Sequence, residues 1–218
     1  SSSTGIAVLD QPLINPLNDS LDGDVYLGGL SGTHSVGNDG SFNYNLPIVI
    51  PPGINNTQPE LSLNYNSNLK NGLVGWGWSL SGLSVISRCN ATMIRDGYVS
   101  GIQVSDNYKY CIDGQRLIEI SSGEYRTESE NFLRIKKLGD YWEVTNNNGV
   151  QSRYGFNVDS KLEDRQSQTY AWYLDQQKDA SNNSWSVTYN KTLSDGIQTH
   201  YPSSISYTDN PLFSAQKN

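Results

Sequence analysis

The chain has 218 residues, a formal net charge of −7, and 35% hydrophobic residues in which 14 Tyr and 5 Trp weigh heavily. It is long enough to bury a core without metal or disulfide support, and its 15 Lys and Arg are scattered rather than gathered into a basic stripe, which argues against nucleic-acid binding. No apolar run approaches the roughly 20 residues that span a bilayer as a helix, and the Ser-rich start has neither a basic region nor an apolar signal core.

In chain order, residues 1–39 are rich in Gly, Asn, Asp and Ser with few apolar pairs, which predicts an extended N-terminal arm. From Ser41 the pattern sharpens. Phe42, Tyr44 and Leu46 alternate; Pro47 and the turn Pro51-Pro52-Gly53 bracket Ile48 to Ile50; Leu61, Leu63 and Tyr65 alternate again. Further strands are predicted at Leu83 to Arg88, Tyr108 to Ile112, Arg116 to Ile120, Phe132 to Lys137 and Tyr141 to Thr145. Asp113-Gly114 between two such runs is a two-residue hairpin signal, and Asn146-Asn147-Asn148-Gly149 a longer turn. Val150 to Tyr154, Ser184 to Tyr189 and Ser203 to Tyr207 each follow a polar turn and end on tyrosine, as in a ladder of similar hairpins. The best helical candidate, around Leu162 to Gln168, is short. These features predict an all-β fold of short antiparallel strands and hairpins in curved or sandwich-like sheets, with little helix.

Within GLVGWGWSLSG, Gly72, Gly75, Gly77 and Gly82 give the backbone freedom. On an extended chain Trp76 and Trp78, two apart, would face one side as an aromatic ledge. Core burial of that ledge is favoured over a sugar-binding or docking platform, because aromatics supply much of the buried area in β folds. Cys89 and Cys111 sit in strand-like contexts where free buried thiols are favoured, with a disulfide as the alternative. They make no metal site with His34 and His200, which read as surface residues. Asp19, Asp22 and Asp24 lack the spacing of a calcium loop and read as a solvated acidic turn. Ser-His-Asp chemistry finds no nucleophile-elbow motif.

The run Gly40 to Cys89, with Pro47, Pro51-Pro52-Gly53, Pro59-Glu60-Leu61, Tyr65, Asn71-Gly72 and Gly75-Trp76-Gly77-Trp78-Ser79-Leu80-Ser81-Gly82-Leu83, resembles the N-terminal domain shared by SpvB virulence proteins and the B components of Tc insecticidal toxins. Similar features continue at Asp96-Gly97, Cys111-Ile112-Asp113-Gly114-Gln115-Arg116-Leu117, Glu124 to Glu128, Trp172-Tyr173-Leu174 and Ile205 to Thr208. RYGFNVDSKL resembles the tyrosine-aspartate repeat of RHS proteins, in which the aromatic packs inward. The resemblance implies a β domain over residues 40–218, with RHS-like hairpins towards the C-terminus, as a piece of a longer protein. It implies a non-enzymatic scaffold that helps to encapsulate or deliver a toxic enzyme carried elsewhere, without cofactor or metal. Its partners would be the remainder of its own chain or a cognate RHS or Tc C-type subunit, with a toxin cargo, and its setting secretion, or assembly in the bacterial cytoplasm for export. An ADP-ribosyltransferase would need a Ser-Thr-Ser strand beside its Glu-x-Glu turn; Glu128 and Glu130 have that spacing without the strand and read as a solvated turn. The alternative is an adhesion or glycan-binding module that uses exposed aromatics.

Overall fold

The computed structural model describes residues 32–69, 71–72, 75–90, 109–129, 131–194 and 197–209. The acidic turn at Asp19 to Asp24, Asp96-Gly97 and Glu130 lie outside them, as do the first 31 residues of the predicted arm. The fold is all-β: β1 (Thr33–Val36), β2 (Phe42–Ile48), β3 (Leu61–Asn66), the two-residue strands β4 (Asn71–Gly72) and β5 (Gly75–Trp76), and β6 (Trp78–Ser81). Then come β7 (Val85–Cys89), β8 (Lys109–Ile112), β9 (Gln115–Ser121), β10 (Glu124–Thr127), β11 (Arg134–Leu138), β12 (Tyr141–Thr145), β13 (Gln151–Tyr154), β14 (Lys161–Glu163), β15 (Thr169–Lys178), β16 (Ser184–Ser194) and β17 (Ile197–Asp209). The only described helices are single 3₁₀ turns at Ile54–Asn56 and Val158–Ser160, and none is long and apolar enough to cross a membrane.

β1, β2, β3 and β6 form a four-stranded antiparallel sheet. β1 falls within the stretch predicted as an arm, and pairs with β2 from Thr33↔Asn45 to Val36↔Phe42. Pro47 lies beyond the end of β1, so on that flank its missing N–H removes no ladder bond.

β7 to β13 run up and down as sequential antiparallel neighbours, and β15 pairs with both β7 and β13, which closes an eight-stranded barrel. β15 can do this because it is ten residues long. Ala171 to Tyr173 serve β7, while Leu174 to Lys178 serve β13. Period-2 alternation sends Ile86, Leu117, Ile135, Trp142, Val144, Tyr154, Trp172 and Leu174 into the core. At its centre the Trp142 and Trp172 rings meet edge to face at 5.9 Å, with Tyr110 and Tyr125 at 4.8 and 5.1 Å from Trp142. The β16–β17 hairpin extends from the second half of β15 and buries Trp185, Val187 and Tyr189.

The β8–β9 hairpin turns on Asp113 and Gly114, both left-handed at φ 47° and 80°, the two-residue turn read from the sequence. The Asp113 carboxylate also accepts from the Val85 N–H (2.9 Å) and the Ser84 hydroxyl (2.6 Å), which pins the turn to the start of β7.

Three expectations are corrected. The stretch 162–168 is not helical: Leu162 and Glu163 belong to β14, and the Asp164 carboxylate then accepts from the N–H groups of Gln166 (2.8 Å) and Gln168 (2.9 Å), which holds a turn. Cys89 and Cys111 are not free thiols but form a disulfide. Cys89 stands opposite Lys109 on the adjacent strand, and Cys111, two residues on, shares that face with Cα atoms 5.9 Å apart. Trp76 and Trp78 form no buried ledge, because Gly77 at φ 77° separates β5 from β6 and breaks the strand between them. Trp76 is 67% exposed and Trp78 half-buried.

Candidate docking surface

In the four-stranded sheet the pleat separates two chemistries. One face carries Asn43, Asn45, Ser62, Asn64, Asn66 and Ser81, which bond one another across the strands. Asn45 donates to the Ser62 hydroxyl (3.1 Å) and to Asn64, Asn64 donates to Ser81, and Asn66 to Asn43 (2.7 Å). The opposite face carries His34 and Val36 from β1, Phe42, Tyr44, Leu46 and Ile48 from β2, Leu61, Leu63 and Tyr65 from β3, and Trp78 and Leu80 from β6. His34, Phe42, Tyr65 and Trp78 make a ring row across the strands, with successive centroids at 6.3, 6.3 and 5.4 Å. This is the side of the sheet that hydrophobic patterning assigns to a core. None of these apolar side chains is buried, and Val36 is 70% and Phe42 43% exposed.

Of the predicted motif residues, Pro47, Tyr65 and Trp78 lie in this sheet, Gly72, Gly75 and Trp76 in the β4–β5 pair, and Gly77 between β5 and β6. A Cβ on Gly77 would sit 2.6 Å from the Tyr65 ring and 3.0 Å from the Asn66 carbonyl, so the close approach of β6 to β3 demands glycine. Pro51, Pro52 and Gly53 lead into the first 3₁₀ turn, where the Gly53 N–H donates to the Gln58 side chain at 2.9 Å. Asp113 and Gly114 make the β8–β9 turn, and Arg116 is buried in β9 with its guanidinium donating to the Asn90 carbonyl at 3.2 Å. The motif therefore shapes the sheet and the start of the barrel and does not converge on one cavity.

What fastens the sheet to the barrel is not legible in the sequence. Asp179, in the β15–β16 turn, accepts from Asn55 (3.1 Å) in the first 3₁₀ turn and from Thr57 (2.9 Å) at its C-terminal end. It is capped within its own turn by the Asn183 side chain (2.7 Å) and the N–H groups of Ser181 (2.8 Å) and Asn183 (2.9 Å). The Asn183 amide foremost, with Asn55 and Thr57 behind it, holds this carboxyl well below the usual carboxylate range. Asp179-Ala180-Ser181-Asn182-Asn183 does carry the signature of a side-chain-capped turn. Its distant partners had no local signal. A cleft of about 430 Å³ lies beside this latch, lined by Gln58, Glu60, Ser84, Tyr154, Gln177 and Trp185 among others.

A second polar node lies outside the barrel wall. Asp175 is fully buried and accepts from Arg153 Nε (2.7 Å), the Phe156 N–H (2.6 Å) and the Ser160 hydroxyl (3.2 Å), so that β13, β15 and the second 3₁₀ turn converge on one carboxylate. Beside it His200 is half-buried, unlike the exposed His34. It stacks on Tyr189 at 4.6 Å, and its Nε2 lies 2.8 Å from the Asp159 carbonyl. Burial pushes the His200 pKa below 6.5, against the opposing effect of the Asp159 carbonyl. The same burial raises the Tyr154 hydroxyl to about 12. Among the described residues no group of three His, Cys, Asp or Glu side chains is placed to hold a metal ion.

Residues 36–108 match the family model for SpvB, the Salmonella virulence plasmid 65kDa B protein. No curated protein matches the chain by sequence. Among solved structures the chain is similar to the crystal structure of TcdB2-TccC3 (TM-score 0.67, 19% identity, 82% of this chain covered and 10% of that one). It is similar also to a Photorhabdus luminescens Tc holotoxin pore (TM-score 0.62, 16% identity, 81% and 10% covered). The N-terminal domain of the effector SpvB from Salmonella typhimurium strain LT2 matches with TM-score 0.59 and 20% identity, over 74% of this chain and 63% of that one. The chain thus spans a tenth of these two Tc toxin chains, and at these identities the likeness to solved structures is one of fold. Sequence over residues 36–108 and fold over most of the chain together make it similar to the SpvB N-terminal domain and to Tc toxin components.

Proposed function

We propose that this chain is a non-enzymatic scaffold domain of a bacterial toxin or RHS-type secreted virulence protein, one piece of a shell that encloses or delivers a toxic enzyme. The observation that carries this reading is the apolar face of the β1–β2–β3–β6 sheet, patterned like the inner layer of a sandwich yet without a buried side chain. Such a face is stabilised by docking against another layer, and the latch at Asp179 holds it in a fixed relation to the barrel. The partner is the remainder of the same polypeptide or a cognate RHS or Tc C-type subunit, and the setting is a protein made for export. The test is hydrogen exchange of the chain alone and with that partner. Amides of residues 42–48, 61–66 and 78–81 should gain protection in the assembly, and Leu63→Asp with Leu80→Asp should abolish it. Unchanged exchange over those strands, or NAD consumption by the purified chain, would sink the reading.

One observation favours the alternative glycan-binding reading: Trp76 stands 67% exposed. Against it, the aromatic row shares its face with Leu46, Leu63 and Leu80, while the Asn and Ser side chains that would bond sugar hydroxyls lie on the other face. Acrylamide quenching of tryptophan emission with and without added glycans separates the two, since a glycan platform must show sugar-dependent protection.

A further inference from the structure

The outer wall of the barrel bears a second surface, remote in sequence from the apolar sheet. Arg126 of β10 and Arg134 of β11 flank the Tyr125↔Ile135 pair on its solvent side. Arg126 is opposite Ile118, and Arg134 opposite Thr145. Like charges held side by side on neighbouring strands destabilise a sheet unless an anion lies between them. Among the described residues, Glu124 lines this wall and gives its ion pair to Lys136 at 3.1 Å, with Arg126 a lesser influence on its carboxyl, while Glu143 stands across from Lys136 and Arg153. Arg126 spends one N–H on the Leu133 carbonyl (2.7 Å) and keeps others to offer, and Arg134 has no ion pair among the described residues.

The two arginines are shared by adjoining clefts. One, of about 550 Å³, is lined also by Phe132, Thr145 and Asn147; the other, of about 290 Å³, also by Ile120 and Lys136. Phe132 is 72% exposed and has φ 57°, the left-handed region, which a bulky side chain enters only at an energetic cost. The backbone thus holds a large ring in solvent beside two guanidinium groups, and Ile118 and Ile120 continue the apolar rim at 46% and 55% exposure.

We propose that this groove binds an extended acidic peptide segment of a protein partner. A carboxylate would sit between Arg126 and Arg134, with an apolar neighbour packed on Phe132 or Ile120. Charge complementarity selects the acid, because a two-arginine site in a chain of net charge −7 favours a short anionic segment that avoids the rest of the surface. The same net charge disfavours nucleic acid and other long polyanions, which need a basic stripe rather than a pair. The apolar rim on either side suits alternate side chains of a strand-like peptide.

The experiment titrates the 218-residue chain into a fluorescein-labelled peptide alternating glutamate with leucine, and into its glutamine counterpart, reading fluorescence anisotropy. The glutamate peptide should saturate, bind at least about fivefold tighter than the glutamine one, and weaken with salt. Arg134→Gln should lose about that fivefold preference while Arg134→Lys keeps part of it. Phe132→Ser should weaken both peptides, with circular dichroism confirming that each variant folds. Equal affinity for the two peptides, no saturable binding, indifference to both Arg134→Gln and Phe132→Ser, or heparin displacing the peptide as effectively as unlabelled peptide does would each overturn the assignment.

Discussion

Removing the Asp175 carboxylate should be among the most damaging single changes outside the aromatic core. In Asp175→Ala, Arg153 loses the only ion pair it makes among the described residues, and the Phe156 N–H and Ser160 hydroxyl lose an acceptor. Breaking a buried ion pair from one side costs about 3–5 kcal/mol. The Arg153 side chain is 27% exposed and can recover some hydration, and Ser160 keeps the Asn157 carbonyl at 2.8 Å, so the lower half of that range, about 3–4 kcal/mol, is expected. For a chain of this size each kcal/mol moves the melting temperature by roughly 2–4 °C, which makes the loss about 6–16 °C. Arg153→Ala should cost about 3 kcal/mol by the opposite route, leaving a fully buried carboxylate without its cation. The double variant should lose about 4 kcal/mol, less than the sum, because the second removal relieves the charge stranded by the first. Urea unfolding followed by circular dichroism gives all three values. A loss under about 1 kcal/mol for Asp175→Ala, or strict additivity in the cycle, would show that the node is solvated and holds nothing together.

Three other outcomes are expected. Cys89→Ser with Cys111→Ser frees a loop closed across 22 residues, and the entropy regained by the unfolded chain lowers stability by about 3 kcal/mol, read as a lower urea midpoint that matches that of the wild-type chain under reductant. Trp142→Ala should cost about 3–5 kcal/mol from its fully buried site, and Trp76→Ala less than about 0.5 kcal/mol from its exposed one; similar losses for the two would contradict the break at Gly77. Because burial depresses the His200 pKa below its unfolded value of 6.5, the folded state binds fewer protons there. Its contribution is therefore complete above pH 6.5 and lost as pH falls through the folded pKa, so the wild-type chain should lose more stability between pH 7 and 5 than His200→Gln; parallel profiles would refute this.

The elements legible in the sequence are those whose cause is local. Alternation at Phe42, Tyr44 and Leu46 marked β2, and Asp113-Gly114 marked the β8–β9 turn, because a two-residue left-handed turn favours few residue pairs. Barrel closure was not legible. The pairing of β15 with β7 joins Val85 to Tyr173, and period-2 patterning is the same whether a sheet closes or stays open. The disulfide is illegible for the same reason, since nothing between Cys89 and Cys111 states that β7 and β8 lie side by side. Two-residue spacing puts Trp76 and Trp78 on one face only in an unbroken strand, and Gly77, left-handed at φ 77°, breaks it. Asp175 and Asp179 carry no signal of their role, because a carboxylate in a polar run resembles any solvated acid until distant donors arrive.

The two halves of the fold differ in what they do with their apolar faces. The barrel has closed its edges and filled its interior with Trp142, Trp172 and Tyr154, and it gives even its buried Asp175 a cation and an N–H. The four-stranded sheet has the same alternation and the same aromatic content, and its polar face is fully cross-bonded by Asn and Ser. Yet its apolar face, from Val36 to Leu80, buries nothing completely. A sequence that specifies one layer so fully would gain nothing from Leu46, Leu63 and Leu80 on the opposite face unless that face meets a second apolar surface, which burial at about 25 cal/mol per Å² would reward. If the charged pair Leu63→Asp and Leu80→Asp leaves the isolated chain folded with its melting temperature nearly unchanged while abolishing assembly, the face belongs to the partner; a collapse of the isolated fold would place it in this domain's own core.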